Sequence, residues 1–257
     1  MSFLPVLALW RREVVRFLRQ RSRVTGALLQ PVVFWLLLGG GLNASFRPAG
    51  AGGTAYVEYF YPGMIGLVLL FTAIFATIST VEDRREGFLQ GVLVAPVSRA
   101  SIVLGQALGG TTLAVVQGML CLALAPLIGI HLSIIGILLA FVVMTLVGLA
   151  LTSLGLIIAW QMDSTQGFHA IMNLILMPIW LLSGALFPAE GAPPPLNWLM
   201  ALNPLTYGMA ALRRCLYFGN PAAAGPVPGL AIASLVTLIF CLGSFYGAVA
   251  AANRKAA

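Results

Sequence analysis

The sequence predicts an all-α integral membrane protein with six transmembrane helices, and three observations lead to that prediction. Of the 257 residues, 60% are apolar and only 8% are charged, whereas a soluble domain is about 45–50% apolar and about 25% charged. Fourteen basic and seven acidic residues could not cover the surface of a water-soluble fold. The gaps between these charges are long enough for helices of about 20 residues, the length that crosses a bilayer.

Uncharged stretches define the predicted spans. The first ends at Gly39-Gly40-Gly41, and the second lies between Glu58 and Glu82. No Asp, Glu, Lys or Arg occurs from residue 100 to residue 162, which is too long for one helix, and 129–133 is its one plausible break. The predicted spans are about 24–42, 60–81, 102–128, 134–160, 167–187 and 229–252.

The chain is treated as a single transmembrane domain, 1–257, with an extracytoplasmic re-entrant region at 188–228. The apolar part of that region, 196–212, is short and contains Asn197 and the pair Asn203-Pro204. A spanning helix could not leave such backbone groups unsatisfied in lipid, whereas a re-entrant segment buried against protein could. A seventh span is the alternative interpretation.

Residues 1–23 are predicted to form an amphipathic helix that lies in the cytoplasmic interface. Between residues 3 and 18 the apolar side chains follow one stripe, and most of the arginines lie elsewhere. Pro5 suits the first turn, and Trp10 suits head-group depth. The helix either anchors the chain only or also braces a protein that docks below it.

The positions of Lys and Arg orient the chain. Eleven basic residues fall in the segments 1–23, 84–99 and 253–257, whereas only Arg47, Arg213 and Arg214 fall on the other side. The positive-inside rule therefore places both termini in the cytoplasm. The net charge of +7 is then a consequence of topology and of contact with anionic lipid head groups, rather than of nucleic-acid binding.

The sequence lacks the residues that characterise several functional classes. The one lysine, Lys255, lies outside any P-loop context, so ATP is not bound through a Walker motif of this chain. The cysteines and histidines are isolated, and no metal site or catalytic constellation is expected. Charge buried inside the membrane is expected to be almost absent, which argues against an ion-coupled carrier.

The loop after the second span is predicted to be a docking site for a partner protein. Charges in the run 82–86 and at Arg99 flank apolar residues with helical spacing, which end at Pro96, and Ser98 is placed to cap the next span. A loop that only satisfies the positive-inside rule has little need of an apolar helical face. The assigned docking and coupling residues are Glu82, Asp83, Arg84, Arg85, Glu86, Gly87, Phe88, Leu89, Val92, Leu93, Pro96 and Arg99.

This loop resembles the signature of the ABC type-2 permease family, the membrane subunits of many bacterial ATP-binding-cassette exporters. The matching runs are Glu82-Asp83-Arg84-Arg85-Glu86-Gly87 and Leu93-Val94-Ala95-Pro96-Val97-Ser98-Arg99, while Phe88 and Gln90 depart from the usual Thr and Glu. Residues 183–188 resemble the family's S-G-x-x-F-P run, and 203–213 resemble its N-P-L-x-Y…R run. The motif residues of the re-entrant region are Pro188, Asn203, Pro204, Tyr207 and Arg213.

The resemblance implies a half-transporter, nearest to the daunorubicin-exporter and nodulation-factor-exporter branches. Two permease copies, identical or close paralogues, would assemble in the bacterial inner membrane. Each would dock one cytoplasmic ATPase subunit through a coupling helix at 86–95, so that ATP and Mg are bound by the partner and this chain needs no cofactor. The complex would export an amphiphile such as a drug, a lipid or a lipid-linked glycan. The alternatives are a non-transporting scaffold that recruits a cytoplasmic partner and a stand-alone flippase or channel.

Faces of the second and fifth spans are the candidate transport pathway, because related proteins line the dimer axis with these spans. Here the two faces mix aromatic and weakly polar groups, as an amphiphile route would need. The alternative is ordinary helix packing, for which Ser, Thr and Gly are common in membranes, and the pair Gly105 and Gly109 also permits close helix contact. The candidate lining residues are Thr72, Phe75, Ser79, Asn173, Met177, Trp180 and Ser183.

Overall fold

A computed structural model describes residues 3–42, 55–94, 96–190 and 192–254, and within these ranges the chain forms helices and turns without a strand. Arg47 and Lys255, which entered the orientation count, lie outside them, as do the side chains of Gln90 and Leu93. The helices long and apolar enough to span a membrane are Arg21–Leu42 (α2), Tyr56–Arg85 (α3), Arg99–Ala123 (α5), Ile134–Ala159 (α6), Thr165–Ala185, which begins with α7 (Thr165–Trp180), and Leu230–Arg254 (α10). The remaining helices are Phe3–Arg19 (α1), Phe88–Val94 (α4), Pro194–Leu202 (α8) and Pro204–Leu216 (α9). The predicted all-α fold with six transmembrane helices is confirmed.

The second and third spans differ from the prediction at their ends. α3 does not stop before the charged run but continues through it to Arg85, because arginines from other helices neutralise its acids. α5 begins at Arg99 and has the predicted N-cap, Ser98, whose hydroxyl oxygen accepts a hydrogen bond from the Ser101 amide at 3.2 Å. It ends earlier than predicted, at Ala123, since a 3₁₀ turn follows over Ala125–Ile128 and is closed by Gly129 at a φ of 88°.

The stretch 196–212 is broken in the middle. α8 and α9 meet at Asn203, whose side-chain oxygen accepts from the Leu205 amide at 3.1 Å and whose side-chain nitrogen donates to the Ile179 carbonyl at 2.6 Å. Pro204 then occupies the first position of α9, where its missing N–H costs nothing. Neither helix is long enough to cross a bilayer, so the alternative of a seventh span is wrong.

α1 lies along the first half of α5, and the glycine pair makes that contact possible. A Cβ atom on Gly105 would fall 2.8 Å from the Leu9 Cβ, and one on Gly109 would fall 2.6 Å from the Glu13 Cβ. The Trp10 indole N–H also donates to the Thr112 hydroxyl at 3.0 Å. These contacts therefore fix the position of α1 along α5.

Two ends of the bundle are named from these contacts. The charged end comprises α1, the C-terminal end of α3, α4 and the N-terminal end of α5. The last turns of α10 lie there as well, since Ala248 and Ala252 share an apolar cluster with Leu9 and Leu89. The opposite end comprises the N-terminal end of α3, the π-helical turn Leu181–Ala185, α8, α9 and the loop that follows. Between the two ends, α3 is buried along almost its whole length.

Candidate docking and coupling site

Asp83 is the centre of an ion network at the charged end. Its carboxylate is fully buried and accepts both nitrogens of the Arg12 guanidinium, with Nη1 at 2.5 Å and Nη2 at 2.6 Å. Arg16 Nη1 donates to the same carboxylate at 2.5 Å. The hydrogen bond to Asp83 is the main cause of a raised pKa for Arg12. Bidentate pairs of this kind are strong and fix geometry, so α1 and α3 are held in one register.

Glu82 extends the network to the start of α2. Its two carboxylate oxygens take different arginines, with Arg16 Nη2 at 2.8 Å on one oxygen and Arg23 Nη2 on the other. Three helices therefore meet through residues that lie 59 to 71 positions apart in the chain. No local sequence pattern encodes such pairs.

Glu13 is a buried acid that the sequence did not single out. Only 5% of it is exposed, and it accepts hydrogen bonds from the Ser79 hydroxyl at 2.6 Å and from Arg12 at 3.1 Å. Burial raises the pKa of the Glu13 carboxyl, and the bond from Ser79 opposes that rise. The expectation of little charge concerned the interior of the membrane, whereas at the charged end the structure buries two acids within the protein itself, Glu13 and Asp83. The sequence feature that indicates Glu13 is its position as an acid among the four arginines of one amphipathic helix.

α4 is fastened to this network by its first two residues. Gly87, at a φ of 80°, reverses the chain after α3, a conformation that glycine adopts without strain. The Arg12 guanidinium then covers the Phe88 ring at 3.8 Å from its centroid, a cation–π contact. Leu89 is buried in an apolar cluster with Ile102 and Trp160. α4 and the network therefore share one arginine.

The structure separates the predicted docking residues into two groups. Within the bundle, Arg84 donates to Asp163 at 2.8 Å and to the Trp160 carbonyl at 2.7 Å, which ties α3 to the α6–α7 connection. Together with Glu82, Asp83 and Leu89, this residue holds the bundle together. The exposed members are Arg85, Glu86, Phe88 and Pro96, while Gly87, Val92 and Arg99 are partly exposed. A docking partner would therefore meet the second group, and the docking role of these residues stays a prediction.

Most candidate pathway residues are buried within the chain itself. The Thr72 hydroxyl donates to the Gln117 side-chain oxygen at 2.9 Å, and Ser79 bonds to Glu13. The Trp180 indole donates to the Gly63 carbonyl at 3.0 Å, and Ser183 donates to the Trp180 carbonyl at 2.6 Å. The candidates with an accessible surface are Asn173, which is exposed, and Phe75 and Met177, which are partly exposed. The lining role stays a prediction for all of them.

The motif residues of the re-entrant region divide between the α8–α9 break and a pocket at the opposite end. Asn203 and Pro204 make the break between α8 and α9, and the Tyr207 hydroxyl braces it by donating to the Ala201 carbonyl at 3.1 Å. Pro188 and Arg213 instead line one pocket at the opposite end. Within that pocket, Tyr59 is a contact that the sequence did not indicate.

Arg213 is only 6% exposed. Its Nη2 donates to the carbonyls of Tyr59 at 3.2 Å and of Gly184 at 3.4 Å, and its guanidinium carbon lies 4.0 Å from the centroid of the Tyr59 ring. Gly184, at a φ of 75°, turns its carbonyl toward the arginine. Arg213 is therefore a charge buried within the protein at the opposite end.

Comparison with known proteins identifies the family. Residues 5–217 match the model of the ABC-2 type transporter. The chain belongs to this family. It is a membrane permease by that membership, and the match includes the ion network, α4 and Arg213.

The permease is also similar to individual curated proteins. It is 27% identical to the transport permease ycf38 of Cyanophora paradoxa over 212 residues, which cover 81% of this chain and 72% of that protein. It is 27% identical to Nodulation protein J of Rhizobium leguminosarum bv. viciae over 220 residues, 84% and 83% of the two chains. Nodulation protein J of Neorhizobium galegae is 25% identical over 261 residues, 97% and 93% of the two chains. The resemblance inferred from the loop and the two motifs is thereby confirmed.

Proposed function

We propose that this permease is the membrane subunit of an exporter that moves an amphiphile out of the cytoplasm or the inner leaflet. A separate ATPase subunit, docked at the charged end, supplies the energy. The observation that supports the proposal is the arrangement of α4. Its exposed surface beside Arg85 and Glu86 is available to a partner, while Phe88 and Leu89 fix the same helix to α1, α3 and α5.

The contacts of Arg12 suggest how movement of a docked ATPase reaches the bundle. Arg12 covers Phe88 of α4 and forms two bonds to Asp83 of α3. Its own helix, α1, lies along α5 through Gly105 and Gly109. A displacement of α4 would therefore act on the second and third spans together. This makes α1 a brace as well as an anchor.

The proposed orientation places the charged end in the cytoplasm of a bacterial inner membrane. α1 and the last described turns of α10 lie at that same end, as an even number of spans requires. Basic residues also concentrate there, as the positive-inside rule expects of a cytoplasmic side. ATP and Mg would be bound by two ATPase copies, and this chain would contribute no nucleotide ligand.

A second permease copy, identical or paralogous, completes the proposed complex. α2 and α7 carry much exposed apolar surface, including Phe34, Leu37 and Leu174, which lipid or a second copy would cover. In the proposed dimer, Phe75, Asn173 and Met177 face the transport route. The proposed cargo is a lipid-like molecule or a glycolipid, which an apolar route with weakly polar groups would accommodate.

The test is to reconstitute the permease in vesicles with an ATP-binding-cassette ATPase from its own source organism. Glu86→Arg and Val92→Pro are each expected to reduce ATPase co-purification and drug- or lipid-stimulated hydrolysis by about tenfold or more. Glu86→Arg reverses a charge at the interface, where like charges cost several kcal/mol, and Val92→Pro breaks the helix. The matched control is Asn220→Arg, which places the same side chain at an exposed position of the opposite end and is expected to leave both unchanged.

The same reconstitution decides between the exporter and its alternatives. A scaffold would bind the partner without substrate-stimulated hydrolysis. A stand-alone flippase or channel would give substrate flux without any ATPase. Normal coupling in Glu86→Arg and Val92→Pro would overturn the docking role of α4.

A further inference from the structure

We infer that the opposite end of the permease contains a binding site for the anionic head group of an amphiphile, centred on Arg213. The inference goes beyond the docking proposal and requires neither an ATPase nor a direction of transport. It depends on the surroundings of one buried arginine, on the pocket that this arginine lines, and on the neighbouring arginine that shapes the pocket wall.

Arg213 has a buried charge, and none of the carboxylates in the described ranges pairs with it. Within the residues that the structure describes, its Nη2 donates to two carbonyls, and the guanidinium also interacts with the Tyr59 side chain. Its Nε and Nη1 donate to none of the described carbonyls or carboxylates. Buried arginines are normally paired, because an uncompensated guanidinium is costly away from water. The N–H groups of Nε and Nη1 are thus free to bind an anion.

The pocket beside Arg213 has a volume of about 70 Å³. Its walls are mostly apolar, with side chains of Pro188, Met209 and Val227 among them. The hydroxyls of Ser183 and Thr206 also line it, but each donates its proton to a backbone carbonyl at 2.6 Å. The two tyrosine hydroxyls that line it donate to carbonyls as well, Tyr59 to Gly184 and Tyr217 to Glu58.

The guanidinium is therefore the side-chain donor with spare N–H groups among the described lining residues. Arginine binds carboxylate and phosphate through parallel N–H groups, so the pocket matches an anion better than a neutral polar group. Two acids lie nearby. Glu190 is on the exposed rim and forms no ion pair with Arg213 in the described structure, and Glu58 lines a separate pocket.

Arg214 shows that the pocket wall is held in place. Its Nη2 donates to the Val227 carbonyl at 2.6 Å, its Nη1 to the Pro221 carbonyl at 3.2 Å and its Nε to the Pro228 carbonyl at 3.4 Å. Adjacent arginines of α9 therefore have different roles. Arg214 uses all three of its nitrogens to fix the loop, whereas two nitrogens of Arg213 bond to none of the described carbonyls beside the space that this loop encloses.

The shared chemistry of the occupant is an anionic group on an alkyl chain. The apolar walls favour the first carbons of a chain next to the head group, so inorganic phosphate alone would lack most of the contact. A membrane lipid and a transported amphiphile both carry such a group. The experiment below separates these two sources.

The test uses the purified full chain in a neutral maltoside detergent and measures binding by titration calorimetry. Octyl phosphate is expected to bind about tenfold or more tightly than octanol or inorganic phosphate, because hydrogen bonds to charged groups are worth about 1.5–3 kcal/mol. Arg213→Met is expected to remove that preference, and Arg213→Lys, which keeps the charge, to retain part of it. Equal binding of octyl phosphate and octanol would overturn the site.

A second variant keeps the test valid if Arg213→Met does not fold. Ala189→Phe fills the pocket from its lining and leaves the arginine in place, and it is expected to weaken octyl phosphate binding to a similar degree. Unchanged binding in Ala189→Phe would also overturn the inference. Mass spectrometry of co-purified lipid then identifies the source. Anionic phospholipid retained by the wild type and lost in Ala189→Phe indicates a lipid, whereas binding of octyl phosphate without retained lipid indicates the cargo.

Discussion

The two ends of this permease place arginines in different surroundings. At the charged end, the partly exposed Arg12 and Arg16 share the buried carboxylate of Asp83, and the three guanidinium nitrogens of that contact all meet its oxygens. At the opposite end, Arg213 is more deeply buried than either, yet among the described residues it meets carbonyls and the side chain of Tyr59 rather than a carboxylate. The first arrangement is complete within the chain, and the second has room for one more group.

Arginine therefore has a different role at each end of the bundle. A satisfied ion network resists rearrangement, because removing one partner leaves an uncompensated charge at a cost of about 3–5 kcal/mol. It therefore suits a region that must transmit force as a unit. A guanidinium that is held by weak dipoles and keeps free N–H groups suits a region that exchanges ligands. Three predictions test this contrast, in order of expected effect.

The largest effect is expected from Asp83→Asn, which removes the charge that Arg12 and Arg16 share. The unfolding free energy should fall by about 3–5 kcal/mol, measured as thermal and denaturant unfolding of the purified permease. The control is Glu86→Gln, an exposed acid on the same segment, which should change stability by less than about 0.5 kcal/mol. A loss below about 1 kcal/mol in Asp83→Asn would show that the network is not a unit.

An intermediate effect is expected when each arginine becomes lysine. Arg12→Lys keeps the charge but loses the two-nitrogen fork on Asp83 and the planar contact with Phe88, so it should cost about 2 kcal/mol. Arg213→Lys loses contacts of a single nitrogen to two carbonyls and should cost about 1 kcal/mol. If Arg12→Lys and Arg213→Lys lower the midpoint denaturant concentration by the same amount relative to the wild type, the contrast between the two ends is contradicted.

The smallest effect is expected from Glu13→Gln and depends on pH. Because burial raises the pKa of Glu13 in the folded protein, the wild type loses stability as pH rises above the unfolded value of about 4.3. The groups that face this carboxyl are Arg12, Arg16, Asp83 and Ser79. The melting temperature of Glu13→Gln relative to the wild type should therefore be higher at pH 8 than at pH 5. A difference that does not vary with pH would contradict the raised pKa.

Much of the fold could be predicted from the sequence because a bilayer leaves little choice. Backbone groups in lipid must be satisfied within the segment, so uncharged stretches of sufficient length predict helices such as α6 with nearly the right ends. Local signals were equally informative where the chemistry is local. Ser98 caps α5, Asn203-Pro204 breaks the region after the fifth span, and Gly105 with Gly109 admits a neighbouring helix.

The site was predicted less completely. The sequence placed a charged run and an apolar helix after the second span, but it treated Glu82, Asp83 and Arg84 as part of one exposed surface. Their partners are Arg16, Arg23, Arg12 and Asp163, which lie 59 to 79 positions away. Spacing along the chain carries no information about such pairs, since they form only after α1, α2, α3 and the α6–α7 connection have packed.

The sequence by itself determined the membrane character, the six spans and the break at Asn203, because each depends on the free energy of placing a local segment in lipid. The tertiary structure alone decided which charges are buried and what they meet. Glu13 and Arg213 are inconspicuous in the sequence, one within a basic helix and the other in a run of two arginines. Packing of distant helices gave Asp83 its arginines and Glu13 its hydrogen bond from Ser79, and it left Arg213 facing a pocket. The energy of a buried charge depends on the groups that surround it in space.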